Sequence, residues 1–199
     1  NLTMMYGLEA VTVPSNLEVG LKEWSPQNIS IKTNPEAIIW AVDGVDDNSV
    51  AFAARLMEKG VEVRIIDKEA LLSKQSLSRG SIAVLAMDNP EYEDLSETVN
   101  SIASDLDISV LSIESGFGAE ELPDWGGRHF RLLERPQIAI LSQSGFSSYD
   151  VGVSWWSLDH HLGIRHSQLD ASLVNFADLR RYNTIILPSG YRAVSYTHL

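Results

Sequence analysis

Apolar residues in this chain fall into short runs, each closed by a Gly, Pro or Asp-bearing turn. Ala37, Ile38, Ile39, Trp40, Ala41 and Val42 form the first such run, and Asp43-Gly44 ends it. An unbroken apolar run of this length predicts a strand buried on both faces. Asp46 or Asp47 then stands where a helix cap is expected, with Val50, Ala53, Ala54 and Met57 at helical spacing and Gly60 as the stop. Val61 to Ile66 alternates as a strand near a sheet edge does. A strand, helix and strand within about 30 residues predict a parallel pair joined by a right-handed crossover. The theme repeats. Ser81 to Ala86 is a strand, a helix over 91–106 turns Leu95, Val99, Ile102 and Leu106 inward, and Ile108 to Ile113 is the next strand.

The segment 136–190 carries the same signature again: strand, Gly-bearing turn, helix, short strand, connection, strand, and a Pro188-Ser189-Gly190 turn. Helix signals need not place every aromatic. Trp155 and Trp156 are adjacent and face different ways, so one is expected on the sheet and the other on a domain interface. The pattern as a whole predicts an α/β protein with a parallel, doubly wound (Rossmann- or flavodoxin-like) sheet, truncated at its carboxyl end. The expected layout is a connector over 1–35, an α/β subdomain over 36–134, the first half of a second α/β domain over 135–192, and a non-native tail over 193–199. The connector is marked by its polar, irregular sequence and by Pro26 and Pro35, which disfavour helix in the residue before them.

Composition narrows the function classes. Hydrophobic residues are 44% of the 199 and charged residues 21%, a globular rather than disordered balance. The net charge of −12 repels phosphate backbones, so no nucleic-acid partner is expected. The densest basic cluster, Arg128, Arg131 and Arg135, reads as a solvated rim. There is no cysteine, which removes disulfides, thiolate metal sites and a cysteine nucleophile. No apolar run approaches the roughly 20 residues that span a bilayer.

Candidate chemistry is sparse. Asp159, His160, His161 and His166 are the closest-spaced metal-capable side chains. Neighbouring histidines on a helix point about 100° apart, so one ion rarely takes both. Their place before Gly163 suits histidines that complement a helix dipole, and no metal site is expected. No His-Glu-x-x-His helix occurs. Gly116-x-Gly118 follows a strand, but a third glycine is missing and Glu114, Glu120, Glu121 and Asp124 would repel a pyrophosphate. The better ligand candidate is the turn holding Ser142, Ser144, Gly145, Ser147 and Ser148, together with Ser189 and Gly190. Both turns leave the carboxyl ends of strands expected to be neighbours, where a parallel sheet binds its ligands. A small neutral or zwitterionic group is the expected ligand. The competing reading is an ordinary strand-to-helix turn with serine caps. No nucleophile elbow of the Gly-x-Ser-x-Gly kind is present, so no catalytic residue is nominated.

The run from Arg135-Pro136-Gln137-Ile138 through Asp150-Val151-Gly152-Val153-Ser154-Trp155-Trp156-Ser157-Leu158-Asp159 resembles the carboxy-terminal region of large bacterial zinc carboxypeptidases, the carboxypeptidase A-type metallopeptidases. In that region the family carries a class I glutamine amidotransferase-like domain. Arg181-Tyr182-Asn183-Thr184-Ile185-Ile186-Leu187-Pro188-Ser189-Gly190 resembles that domain's third strand. Tyr6-Gly7-Leu8-Glu9-Ala10 is similar to the segment after the peptidase domain, and Asp124-Trp125-Gly126-Gly127 to the segment before the amidotransferase-like one.

The resemblance implies a secreted or periplasmic parent that cleaves peptide bonds with zinc, and an upstream peptidase domain as partner. The family's zinc ligands, a His-x-x-Glu pair and a later His, would fall before Asn1, and the elbow of an amidotransferase-like domain would follow the third strand. The chain is therefore expected to hold no cofactor and to act as a non-catalytic accessory region. The alternatives are a small-molecule-binding or amidotransferase-like module, and an interaction scaffold without ligand. Val194-Ser195-Tyr196-Thr197-His198-Leu199 resembles a translated adapter tail.

Overall fold

The computed structural model describes residue 34 and residues 36–119, 121–143 and 145–190. The remainder of the expected connector and the expected tail over 193–199 lie outside the described residues. Among the described residues three α-helices and ten strands make two units. In chain order these are β1 (Ile39–Val42), α1 (Ser49–Glu58), β2 (Arg64–Ile66), β3 (Ala70–Leu72), β4 (Gln75–Leu77), β5 (Ile82–Leu85), α2 (Leu95–Asp105), β6 (Leu111–Ile113), β7 (Phe130–Leu132), β8 (Ile138–Ser142), α3 (Ser148–Trp156), β9 (His166–Asp170) and β10 (Thr184–Ile186).

The first unit corrects the expected fold. Its five strands lie in the order β6-β1-β5-β2-β7, and every pair is antiparallel. β1 and β2 do point the same way, because both run against β5, but β5 lies between them. A helical crossover fixes the direction of the second strand and leaves its neighbour open. Here the chain returns from β2 through the β3–β4 hairpin and fills the gap. The connectivity is β-α-β-β-α-β in split form, the ferredoxin-like pattern, with β7 added beside β2. β2 is thus not at an edge.

Each face of this sheet has its own cover. Trp40, Val42, Val63, Ile82 and Val84 pack under the helices with Phe52, Leu56, Leu95, Val99 and Ile102. Ile39, Ala41, Ile66, Ala83 and Ile113 pack on the other side with Leu72 and Leu77 of the hairpin, Trp125 and Phe130. The acidic loop around Gly116 therefore caps a core. Trp125 N–H donates to Gly116 O at 2.8 Å, and Gly116 has room for no side chain because Trp125 Cβ stands 2.9 Å from where its Cβ would be. Asn89 is buried and pins β2 to β5. It accepts from Glu62 N–H at 2.7 Å and donates to Glu62 O and Leu85 O.

The second unit is a three-stranded parallel sheet in the order β10-β8-β9. α3 runs into a π-helical turn, Ser157–Leu162, that Gly163 ends in the left-handed conformation at φ 69°. Ile138, Ile140, Leu158 and Ile164 form its core together with Ala54 of α1. α1 is accordingly buried on two sides, which explains Ala51, Ala53 and Ala54: small side chains let two units approach one helix. Val50, expected to point inward, is exposed, while Phe52 and Leu56 are fully buried. Arg55 Nη2 donates to His161 O at 3.2 Å across the seam. Trp155 and Trp156 were expected to pack, and both are exposed. Among the described residues no helix is long and apolar enough to cross a membrane.

Candidate functional site

The expected ligand turns do meet. β8 is an apolar run buried along its whole length, and it delivers Ser142 to the carboxyl end of the sheet. The chain then reverses through Gln143 at φ 61° and Gly145 at φ 100°. Phe146 N–H donates to Gln143 O at 3.0 Å, closing the turn. Ser147 begins α3 as its cap, its Oγ accepting from Asp150 N–H at 3.4 Å. From the other strand, the turn after β10 brings Ser189 and Gly190 alongside. Ser147 N–H donates to Ser189 O at 2.7 Å, and Phe146 pairs with Gly190 in an antiparallel bridge. A Cβ on Gly190 would lie 2.7 Å from Gly145 O, so only glycine permits this approach.

Gly145, Ser147, Ser189 and Gly190 are therefore brought together. Ser142 is buried and faces the other neighbour, its Oγ donating to Leu169 O of β9 at 3.4 Å. Ser148 is exposed on the first turn of α3. Ser144 lies outside the described residues. The sequence carried the serine cap and the glycines of this site. It carried no sign of the backbone bridge from Phe146 to Gly190, because a single pairing between two loops leaves no periodicity.

What the crevice can do follows from its bonds. Ser147 offers its hydroxyl to the helix and its N–H to the opposite turn, and Ser142 its hydroxyl to β9. These groups are committed to joining strands and helix. A hydroxyl without an adjacent base is a weak nucleophile.

Other sites of chemical interest are closed in the same way. His129 Nδ1 stands 2.7 Å from Asp67 Oδ1, and the hydrogen bond from His129 holds the Asp67 carboxyl below its ordinary range. Arg128 Nε donates to His129 Nε2 at 3.4 Å, so both ring nitrogens have partners. His160 packs against Trp156, ring centroids 5.1 Å apart and planes tilted by 41°. Among the described residues no three His, Asp or Glu side chains group as metal ligands. The chain matches no protein-family model, no curated protein and no solved structure.

Proposed function

We propose that this chain is a non-catalytic accessory region of a zinc carboxypeptidase-like protein. In this reading the second unit opens a glutamine amidotransferase-like, doubly wound domain. Two features support that assignment. The first is the sequence resemblance of 135–159 and 181–190 to that region of the family. The second is the strand order β9-β8-β10, in which the first strand is central. A flavodoxin-like sheet begins with the same 2-1-3 order.

The observation that carries the non-catalytic reading is the hydrogen bond from Ser147 N–H to Ser189 O at 2.7 Å. It commits to the fold a backbone donor at the position where such a sheet would hold its ligand. The parent would hydrolyse peptide bonds with a zinc-activated water, outside the cell or in the periplasm. This region would pack against the peptidase domain of the same polypeptide.

The test has two arms. The complete reading frame is expected to encode a His-x-x-Glu pair upstream, and its product to bind zinc and release carboxy-terminal residues from peptides. The 199-residue chain is expected to do neither. A reading frame without that pair would overturn the assignment. So would stoichiometric zinc that survives dialysis of this chain and disappears when His160, His161 and His166 are changed to Ala. Amide-shift changes at Gly145 and Gly190 on titration with amino acids would favour a ligand-binding module instead.

A further inference from the structure

We infer that the seam between the two units holds a binding site for a small oxyanion, a carboxylate or a phosphate. An open depression of about 300 Å³ lies there, at the amino ends of β8, β9 and β10 and thus at the opposite end of the sheet from the Ser147–Ser189 crevice. Arg135, Arg165 and Arg181 line it, with His166, Tyr182 and Gln137 between them. Glu58, on the last turn of α1, is the one carboxylate in the lining.

The charge here runs against the rest of the molecule. The chain has 27 acidic and 15 basic residues, yet this depression gathers three guanidinium groups around one acid. Glu58 already shows how they bind an oxyanion. Arg165 Nε donates to Glu58 Oε2 at 2.8 Å, Arg135 Nη2 donates to the same oxygen at 3.2 Å, and Arg165 N–H reaches Oε1 at 3.3 Å. A guanidinium has five N–H donors in a planar fork, so most of the donors on Arg135 and Arg165 stay open to a second anion. Arg181 has no salt bridge to Glu58 among the described residues. The nearby Asp178 is hydrogen-bonded to Arg180 at 2.8 Å and also interacts with the Arg181 charge.

The ligand class follows from these donors. Forked guanidinium donors match the paired oxygens of carboxylate and phosphate. The volume is at the low end of small-molecule sites. The acidic surroundings disfavour a long polyanion. Because Glu58 of the first unit shares Arg135 and Arg165 with the site, a bound anion competes with the ion pairs that join the two units. This inference is independent of the accessory-region reading.

Isothermal titration with inorganic phosphate and with citrate, each against chloride at equal ionic strength, tests it on the intact chain. The two anions separate a phosphate site from a carboxylate site. One saturable site is expected for at least one of them. Arg181→Gln should weaken it about tenfold, the loss of one charge-assisted contact. Glu58→Gln should tighten it, because the competing carboxylate goes and its two arginines are released. Arg128→Gln, which removes an exposed arginine outside the depression, should change nothing. No heat beyond the chloride control, or equal affinity in wild type and Arg181→Gln, would overturn the proposal. If Glu58→Gln does not fold by circular dichroism, the comparison of Arg181→Gln with Arg128→Gln decides alone.

Discussion

Glu58 joins the two units through a pair of arginines far away in sequence, and its ionisation should be felt in stability. Burial pushes its carboxyl pKa up, but hydrogen bonds from Arg165 and Arg135 outweigh this and hold it below the ordinary value of 4.5. The folded state therefore favours the charged form. That contribution is fully present above the unfolded pKa and fades as pH falls from about 4.5 through the lower folded value. Urea midpoints measured from pH 7 down to pH 2 should show a constant gap between wild type and Glu58→Gln above about pH 5.5. The gap should close below the ordinary carboxylate range. A gap unchanged at pH 2 would show that the Glu58 charge carries none of the coupling. This residue could not be read from sequence, since Arg135 and Arg165 lie 77 and 107 residues away. The Ser147 cap was legible, because a cap and its helix are neighbours in the chain. The cap at α1 was not: Asn48 stands there and makes no side-chain capping bond, while Asp46 accepts from Asn48 N–H at 2.9 Å.

Long apolar runs with a clear period announced β1, α1, β5, α2 and β8. The pieces that escaped, β3, β4 and β7, have three residues each; β2, β6 and β10 are as short, but each lies in a longer apolar or alternating run that shows a period. The β3–β4 hairpin also lacks the usual turn residues. Its two-residue loop is Ser73-Lys74, at φ 47° and 68°, where Asn-Gly is the common choice. The left-handed conformation costs a non-glycine residue about 1 kcal/mol or more. Lys74→Gly should therefore stabilise the protein by roughly 0.5–1 kcal/mol, after the extra freedom glycine gains in the unfolded chain. Ser73 is best left in place, because its Oγ accepts from Ser115 N–H at 3.1 Å and ties the hairpin to the acidic loop. A lower urea midpoint for Lys74→Gly would mean that the lysine side chain contributes more than its backbone costs. The pairing error in the first unit has a related cause. Apolar runs identify strands, but adjacency depends on which later segment fills the space beside them.

The whole molecule presents an apolar stripe that none of its three cores covers. Tyr149, Val153 and Trp156 recur four and three residues apart, so they share one face of α3. They are 83%, 65% and 52% exposed, and Trp155 beside them is 41% exposed. The packing positions behind them are taken by Val151, Leu158 and Ile164, which meet Ile138 and Ile140 of the sheet. A three-stranded sheet has no further area to offer. β10 is an edge strand with Thr184 and Ile185 exposed, but Ile185 pairs with Ala139 on the face of the sheet opposite α3 and is separate from this stripe. Wild type should therefore bind an apolar dye in its native state, a response expected of contiguous exposed apolar surface. Val153→Lys with Trp156→Lys should abolish most of that signal. Neither side chain belongs to a buried cluster, so the double variant should melt within about 0.5 kcal/mol of wild type. Dye binding that persists in the variant would place the apolar surface elsewhere. A large loss of stability would show that the stripe is packed in solution.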